Sequence, residues 1–445
     1  MYNVGEVYMN LVRTLMFRIR KNGTRTFTKD FEGCMKYSDL YQRIQIVGEA
    51  FRSLPSDNVI LRCRKGKNMA IAILSGLYSG KKIIPVNRLL KEEQVQNIAE
   101  QFHRYCYVTD EYIEGAVNIV PSGLYPPVSV PEPIVLFTSG TTGKFKGVRL
   151  TQSGLLFNIK EITKIVRYKP EDKMLISRSL AHIAALVGDL FVGIFSGVSF
   201  SFYDGPFSPW AIKKEIQEKR ITLWNGTPTC LFSCAVMHTE IPIEKCVLSG
   251  EVLTGSVYER IKKRMPKTIF YVGYGMTEAA PRISMGRLPK RIQRGYAGKL
   301  LKGIKAQSCN GEIKIKSPAL ACGYIGEAGF MGKWFHTHDR GYIKGKKVYV
   351  LGRVDGLIVR GGVNIDPVMI EEAIQADRNI AHCKVYGKPD EILGQKICAV
   401  VQPLNAGIVT AEYVMDLCRK QLPEFMQCNK IEIIENFKIG VTGKK

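Results

Sequence analysis

The stretch from Ile134 to Gln152 reads IVLFTSGTTGKFKGVRLTQ and places a polar loop between two apolar, strand-like runs. The loop combines glycines, hydroxyl side chains and lysines. Glycine lets the backbone approach an anion and turn its N–H groups inward, hydroxyls donate further hydrogen bonds, and lysine supplies positive charge. The stretch therefore predicts a polyphosphate-binding loop between two strands, with a plain glycine-rich hairpin turn as the alternative.

The loop differs from the nucleotide-binding pattern G-x-x-x-x-G-K-[ST]. Gly140 and Gly143 are too close together for that pattern, and Phe145 rather than a hydroxyl residue follows Lys144. A kinase or GTPase of the P-loop class is therefore not expected.

Outward from the loop, short apolar runs alternate with longer stretches of helical spacing such as EEQVQNIAEQFHRY. This alternation predicts an α/β fold with layered sheets and helices. From about residue 300 the runs become short and glycine-bounded, which predicts a distorted β-barrel part. Asp366 and Pro367 then begin an amphipathic helix. We expect a large N-terminal domain over residues 1–352 and a small α+β domain over 353–445.

The 12 cysteines and six histidines lack the paired spacing of a structural zinc site, and free thiols suit a reducing compartment. The N-terminus is a poor signal peptide. Residues 180–203 are long enough to span a bilayer, but His182, Asp189 and Ser196-Gly197 interrupt the apolar run. We expect a buried helix and a buried strand there, in a cytoplasmic protein without an integral membrane segment.

The formal net charge is +24, which predicts attraction to anionic ligands and partners. The basic residues are spread through the chain and form no recognition motif for nucleic acid. Nucleotides, phosphorylated carriers and acidic proteins are therefore the expected partners, and nucleic acid is not.

Two further stretches carry side chains suited to a nucleotide. In YVGYGMTEAAP, residues 271–281, Tyr274 offers a flat face for a base and Glu278 offers an oxygen ligand for Mg²⁺. In WFHTHDRGY, Asp339 is able to accept hydrogen bonds from two ribose hydroxyls. Taken singly, Glu278 and Asp339 each have an alternative interpretation without a ligand, as a solvated surface acid or a helix cap.

The order of the motifs is more specific than any one of them. The sequence combines the loop at 138–147, YGMTE at 274–278, Asp339, GRVD at 352–355 and TGK at 442–444. Together they resemble the acyl-adenylate-forming superfamily of acyl-CoA synthetases, peptide-synthetase adenylation domains and luciferases. The motif style is most similar to aryl- or acyl-CoA ligases. The resemblance spans nearly the whole chain and implies that the small C-terminal domain is mobile.

The resemblance also implies a role for each matching residue. It implies that ATP is bound by Thr138, Ser139, Gly140, Thr141, Thr142, Gly143, Lys146, Tyr274, Gly275, Asp339 and Arg353. Glu278 would hold Mg²⁺, Thr277 would contact the α-phosphate, and Lys444 would bridge the carboxylate and the α-phosphate. Asp355 would be the hinge of the small domain.

Four positions depart from the family pattern. Phe145 stands where proline is usual, His338 replaces a glycine, Val359 replaces a lysine and Met369 replaces a glutamate. The resemblance implies two steps, formation of an acyl-adenylate and transfer of the acyl group to a thiol. These changes put the second step in question more than the first.

The segment SLAHIAAL, residues 179–186, bears on the choice of acid. It resembles aryl- and fatty-acyl enzymes, in which a histidine stands at the mouth of the acyl tunnel, and His182 would take that catalytic position. A core histidine is the plain alternative. Asp189 is close enough to His182 along the chain to pair with a substrate amine. Amino acids therefore stay an alternative class of substrate. Residues 225–229 and 249–253 would line the acyl pocket.

The expected reaction is Mg-ATP-dependent activation of an aryl or fatty acid to an acyl-adenylate, followed by transfer to a thiol. Coenzyme A and the phosphopantetheine of an acidic acyl carrier protein are the candidate acceptors. One alternative is an amino-acid-adenylating enzyme that loads a carrier protein. A second, from another class, is a non-catalytic nucleotide-binding regulatory homologue. The sequence does not predict an oligomeric state.

Overall fold

The computed structural model describes residues 10–116, 130–139, 145–236, 240–327, 329–354, 356–360, 363–390, 394–405 and 407–437. The α-helices in these residues are α1 (Leu11–Lys21), α2 (Tyr37–Arg52), α3 (Gly66–Ser79), α4 (Glu92–Ala99), α5 (Asp110–Gly115), α6 (Gln152–Val166), α7 (Ile183–Ala185), α8 (Val192–Ser196), α9 (Pro209–Glu218), α10 (Pro228–Ala235), α11 (Gly255–Arg264), α12 (Pro367–Gln375) and α13 (Ala411–Gln421). A π-helical segment, Leu186–Phe191, joins α7 to α8, and short 3₁₀ turns cover Thr277–Ala279 and Glu424–Met426.

The strands in the described residues form three sheets. They are β1 (Thr26–Asp30), β2 (Gly33–Lys36), β3 (Asn58–Leu61), β4 (Lys82–Pro85), β5 (Cys106–Val108), β6 (Ile134–Ser139), β7 (Phe145–Leu150), β8 (Lys173–Ile176), β9 (Ser199–Phe202), β10 (Leu223–Trp224), β11 (Lys245–Ser249), β12 (Ile269–Gly275), β13 (Arg282–Arg287), β14 (Tyr296–Leu300), β15 (Lys305–Cys309), β16 (Glu312–Lys316), β17 (Gly323–Tyr324), β18 (Phe335–Lys344), β19 (Lys347–Arg353), β20 (Ile358–Arg360), β21 (Val363–Ile365), β22 (Ile380–Asp390), β23 (Gly394–Pro403) and β24 (Lys430–Ile433).

The largest sheet has 13 strands in the described residues, in the order β15-β16-β18-β19-β14-β13-β12-β11-β10-β8-β9-β1-β2. Its strands β9, β8, β10, β11 and β12 are parallel neighbours, and the strands from β12 to β15 pair antiparallel. The segment expected to be barrel-like is this antiparallel end, and no closed barrel forms in the described residues. The predicted α/β class with a large sheet domain is confirmed.

The second sheet has six strands in the described part, in the order β17-β7-β6-β4-β3-β5. It contains the predicted pair of strands around the phosphate loop, because β6 and β7 pair antiparallel from Ile134↔Leu150 to Ser139↔Phe145. A five-stranded sheet of β21, β20, β23, β22 and β24 belongs to the C-terminal part, where buried side chains of α12 and α13 give it a separate apolar core. The exact domain boundary at residue 352 stays a prediction.

Helix starts follow local capping chemistry. Asp366 Oδ1 accepts a hydrogen bond from Val368 N (3.0 Å), and Pro367 occupies the first position of α12, as predicted. Thr227 Oγ1 accepts from Cys230 N (3.2 Å) and caps α10, which begins at Pro228. Through this cap, the polar residues before α10 are held at the carboxyl ends of the parallel strands.

The apolar segment 180–203 is a buried helical run followed by β9, as expected. Its helical part is divided by the π-helical segment that contains Asp189. No helix in the described part of the chain is both long and apolar enough to cross a membrane.

Candidate active site

The predicted phosphate loop connects β6 to β7. Thr138 pairs with Lys146 across this hairpin, which places both at the mouth of the loop. Lys146 Nζ lies 3.9 Å from Glu327 Oε1 and 4.9 Å from the ring centroid of Tyr324. The Ser139 side chain and residues 140–144, among them Gly140, Thr141, Thr142 and Gly143, lie outside the described residues.

The second motif follows the end of β12. Gly275 is required there by close packing, since a Cβ atom at this position would overlap the carbonyl of Pro281. The chain then turns through the 3₁₀ segment that holds Thr277 and Glu278. This turn at the carboxyl end of a parallel strand is where open α/β sheets bind ligands.

Tyr274 and Asp339 meet although 65 residues separate them in sequence. The Tyr274 hydroxyl donates to Asp339 Oδ2 over 2.6 Å. Burial raises the pKa of Tyr274 well above its ordinary value, and the neighbouring Asp339 carboxylate raises it further. The tyrosine therefore stays neutral and remains the donor, with its ring orientation fixed by the bond.

Arg353 joins the same pair from β19. Asp339 on β18 lies opposite Arg353, whose Nη1 is 3.4 Å from Asp339 Oδ1 and 3.0 Å from the Thr337 carbonyl oxygen. His338, which replaces the expected glycine, has a φ of 55°, in the left-handed region. A non-glycine residue is uncommon in that conformation. His338 adopts it nonetheless, so the backbone turn that presents Asp339 is kept despite the substitution.

Tyr324, a residue to which the sequence assigned no role, links Glu278 to the hairpin of β6 and β7 that holds the predicted phosphate loop. The Tyr324 hydroxyl donates to Glu278 Oε1 over 2.8 Å, and Tyr324 lies on β17, which pairs with β7. Lys146 lies over the ring of the same tyrosine. Tyr324 ends the segment SPALACGY, residues 317–324, whose resemblance to the family pattern is weaker than that of the motifs named above.

Glu278 is the acidic residue that was predicted to hold a metal ion. No cluster of three or more His, Cys, Asp or Glu side chains suited to a metal occurs in the described residues. Glu278 is 6% exposed and presents a single carboxylate beside the hairpin. Mg²⁺ in nucleotide sites commonly takes one or two protein carboxylates and completes its shell with phosphate oxygens and water. The lone Glu278 therefore fits Mg²⁺ bound together with ATP.

His182 immediately precedes α7, and its Nε2 lies 3.5 Å from Asn87 Nδ2. Asn87 is one of the residues around a cavity of about 290 Å³. Arg178, Trp224 and Gly226 also line this cavity, so it borders the segment 225–229 that was predicted to form the acyl pocket. Tyr274 and Glu278, which were predicted to bind the nucleotide and its metal, are not among its lining residues.

Asp189 is already engaged within the protein. Its Oδ2 is 2.9 Å from Arg178 Nη2, and its Oδ1 accepts from Asn225 Nδ2 over 2.8 Å. The side chain is buried, and burial raises its pKa. This arrangement does not favour Asp189 as the partner of a substrate amine, because a guanidinium and an amide occupy its two oxygens.

Two further residues with predicted roles lie outside the described part of the chain. They are the proposed hinge residue Asp355 and the proposed catalytic cation Lys444.

Comparison with solved structures defines the class of fold. An anthranilate CoA ligase in complex with anthranoyl-AMP superposes with a TM-score of 0.87 at 18% identity, over 99% of this chain and 96% of that chain. ATP-bound MatB from Rhodopseudomonas palustris superposes with a TM-score of 0.84 at 20% identity, over 98% and 97%. The fold is that of adenylate-forming enzymes.

Sequence comparison then identifies the family. The AMP-binding enzyme family matches residues 126–325, and the AMP-binding enzyme C-terminal domain matches residues 369–444. The oxalate–CoA ligase of Arabidopsis thaliana is 28% identical over 339 residues, which are 70% of this chain and 65% of the relative. The match thus spans slightly less than two thirds of that relative. The chain belongs to the AMP-binding enzyme family, and the predicted family resemblance is confirmed.

Proposed function

We propose that the protein activates a carboxylic acid with ATP and transfers the acyl group to a thiol. In the first step a carboxylate oxygen attacks the α-phosphorus, the bond from that phosphorus to the bridging oxygen breaks, and pyrophosphate leaves. In the second step the thiol sulfur attacks the carbonyl carbon, a thioester forms and AMP leaves. Magnesium-dependent acid:thiol ligase chemistry of this kind agrees with the family.

The observation that carries the proposal is the convergence of separate motifs on one site. Tyr274 and Asp339 are bonded to each other, and Glu278 is connected through Tyr324 to the hairpin residue Lys146. A nucleotide lying across these groups would place adenine on Tyr274, ribose hydroxyls at Asp339 and phosphates at the hairpin. Preorganised groups of this kind lower a barrier because they need no rearrangement when charge develops.

The remaining assignments follow the family match. Thr277 would contact the α-phosphate, Arg353 would lie beside the ribose, and Thr138 to Lys146 would surround the β- and γ-phosphates. A magnesium ion at Glu278 would supply positive charge to the phosphates. His182 would stand where the acid and the adenylate meet, and the small domain would turn about Asp355 between the two steps.

The first prediction tests the activity itself. ATP–pyrophosphate exchange should be detectable with a panel of carboxylic acids and should be absent without an acid, because the acid is the nucleophile. Exchange that proceeds without any acid, or release of ADP in place of AMP, would contradict the proposal.

The second prediction concerns the class of acid. Acids without an α-amine should have a higher kcat/KM than the matching α-amino acids, because Arg178 and Asn225 occupy the Asp189 carboxylate. We expect a preference of about 10-fold or more, since bringing in an ammonium group that finds the Asp189 carboxylate already occupied costs about 1.4 kcal/mol or more. A preference for the amino acid would reverse this assignment in favour of an enzyme that loads amino acids.

The third prediction concerns the thiol. The formal net charge of +24 should favour an anionic acceptor, and both CoA and an acidic carrier protein qualify. The second-order rate of thioester formation should fall as ionic strength rises from about 0.01 to 0.15 M, where the Debye length shrinks from about 30 to 8 Å. A demonstrated adenylate that reacts with neither acceptor would call for a different second step.

A further inference from the structure

Two segments in the antiparallel part of the large sheet carry basic residues and no acidic ones. Residues 279–311 contain eight lysines and arginines, and residues 340–354 contain five, without an aspartate or glutamate in either segment. The fold brings the two segments together, because β14 from the first pairs with β19 from the second, and β19 pairs with β18. Positive charge from both segments is therefore concentrated on neighbouring strands.

Five lysines of this region form a surface that we call the lysine patch. They lie near the end of β14, in the loop that follows it and at the turn between β18 and β19: Lys299, Lys302, Lys344, Lys346 and Lys347. All five are exposed, and none forms an ion pair within the residues that the structure describes. Lysines elsewhere do find acidic partners, as Lys67 does with Asp30 (2.9 Å). The patch is therefore a local excess of positive charge.

The register of the strands places like charges of the patch directly opposite each other. Lys347 on β19 lies opposite Lys344 on β18 and also opposite Lys299 on β14. The backbone of Lys346 is fixed beside them, since its carbonyl oxygen accepts a hydrogen bond from Leu300 N over 2.8 Å. Like charges at directly opposite positions of an antiparallel pair destabilise a sheet. The arrangement is therefore unfavourable in the protein alone, and contact with a negatively charged surface would relieve the repulsion.

An exposed aromatic ring lies beside the lysine patch. Tyr342 stands two residues before Lys344 on β18, so both side chains belong to the same face of the sheet. The Tyr342 ring stacks on Tyr349 with 4.6 Å between the ring centroids and 9° between the planes, and Tyr342 is still 42% exposed. Tyrosine is enriched at membrane–water interfaces, where its ring meets apolar groups and its hydroxyl meets water. A fixed ring next to unpaired lysines therefore fits a layer of lipid headgroups.

We propose that the lysine patch and Tyr342 dock the protein on the surface of an anionic lipid bilayer. The lysines would lie among the negatively charged headgroups, and the Tyr342 ring would lie at headgroup level. Lysine is depleted from protein–protein interfaces, and arginine is preferred where phosphate is recognised with fixed geometry. A patch of lysines without arginine therefore suits the many mobile charges of a bilayer better than an acidic protein or a nucleic acid. This docking goes beyond the proposed function and does not depend on it.

The test measures partitioning of the wild-type protein onto lipid vesicles by co-sedimentation. One set of vesicles contains phosphatidylcholine alone, and in the other about one third of the lipid is phosphatidylserine. Each lysine near an anionic membrane surface raises the partition coefficient about fivefold. We expect partitioning onto the anionic vesicles to be about 100-fold or more stronger at about 0.1 M salt, and to weaken as the Debye length falls from about 10 Å towards 3 Å at 1 M. Equal partitioning onto both kinds of vesicle overturns the inference.

Matched variants separate the patch from the overall charge of the protein. A triple variant replaces with glutamine the three lysines at the turn, Lys344, Lys346 and Lys347, and should lower partitioning onto anionic vesicles about 100-fold. A control variant replaces with glutamine three exposed lysines near the starts of β8 and β12, Lys169, Lys173 and Lys267, and should change partitioning less than about threefold. Equal losses in the two variants overturn the inference. If the triple variant does not fold, Lys346→Gln alone decides it by an expected loss of about fivefold.

A spectroscopic variant separates a bilayer from other polyanions. The tryptophan emission of Tyr342→Trp should move to shorter wavelength with anionic vesicles, relative to the wild-type protein, because the ring enters the headgroup layer. Polyglutamate or single-stranded RNA at the same charge concentration should cause no such shift. A missing shift with vesicles, or the same shift with either polymer, overturns the inference. Displacement of the wild-type protein from the vesicles by either polymer at equal charge concentration would assign the patch to an acidic protein or a nucleic acid and also overturns it.

Discussion

Replacement of Lys444 with alanine should slow adenylate formation by two to three orders of magnitude and change thioester formation from a preformed acyl-adenylate by less than 10-fold. The family resemblance of the TGK motif at 442–444 assigns this lysine to the α-phosphate. A charge-assisted bond made mainly in the transition state is worth about 3 to 4 kcal/mol, which corresponds to that loss in rate. The thiol step needs no such cation if the small domain has turned and withdrawn it.

Lys445→Ala is the matched control, since it removes the same charge one position further along. Both half-reactions should be measured under single-turnover conditions in each variant. A loss of less than 10-fold in adenylation by Lys444→Ala would mean that Lys438, Lys445 or another cation carries this role. Equal losses in the two half-reactions would contradict the rotation about Asp355.

Replacement of Glu278 with glutamine should lower the rate of pyrophosphate exchange by about 100-fold or more and raise the Mg²⁺ concentration that the reaction needs. The change removes one negative charge and keeps the size of the side chain. Loss of a charge-stabilising group in an acyl- or phosphoryl-transfer site typically costs about 2.7 to 4 kcal/mol. Glutamine also keeps an oxygen that is able to accept from Tyr324, so the contact with β17 is retained.

Two matched variants control for this result. Glu327→Gln neutralises a half-exposed acid 3.9 Å from Lys146 and should change the rate by less than about threefold, because exposed pairs contribute little. Tyr324→Phe removes only the hydroxyl bonded to Glu278 and should cost less than 10-fold, about the value of one hydrogen bond. If Glu327→Gln is as damaging as Glu278→Gln, the metal role of Glu278 is wrong.

Local sequence signals predicted the elements that depend on local chemistry. The strand pair around the phosphate loop, the capped start of α12 at Pro367 and the interrupted helix before β9 all follow from residues within a few positions of one another. The arrangement of the glycine-bounded strands after residue 300 does not follow from nearby residues. It depends on pairings such as Tyr296↔Tyr349, which join distant segments and make an open antiparallel sheet end.

The site was predictable to the extent that its motifs occur in order along the chain. The contact between Tyr274 and Asp339 spans 65 residues, and sequence order alone does not give its geometry. Tyr324 was not predicted as a neighbour of Glu278, because a single tyrosine at the end of SPALACGY carries no distinctive pattern. Arg178 was not assigned to the site because arginine in a sequence is normally read as surface charge, whereas the fold leaves its side chain only 9% exposed.

For Asp189, the sequence suggested a role that the contacts of its side chain do not favour. Its place after SLAHIAAL made it a reasonable partner for a substrate amine. Its two oxygens are instead taken by Arg178, just after β8, and by Asn225, just after β10. Arg178 is 11 residues and Asn225 36 residues away in sequence, and neither spacing forms a pattern that predicts the pairing.

The most direct test of acid activation follows an oxygen atom. An acid that supports exchange is labelled with ¹⁸O in the reacting carboxylate, the complete reaction with ATP and thiol is run, and the AMP is analysed by mass spectrometry. Attack of the carboxylate on the α-phosphorus predicts that each AMP formed carries one labelled oxygen in its phosphate. Unlabelled AMP, or label found in ADP or orthophosphate, would contradict an acyl-adenylate intermediate.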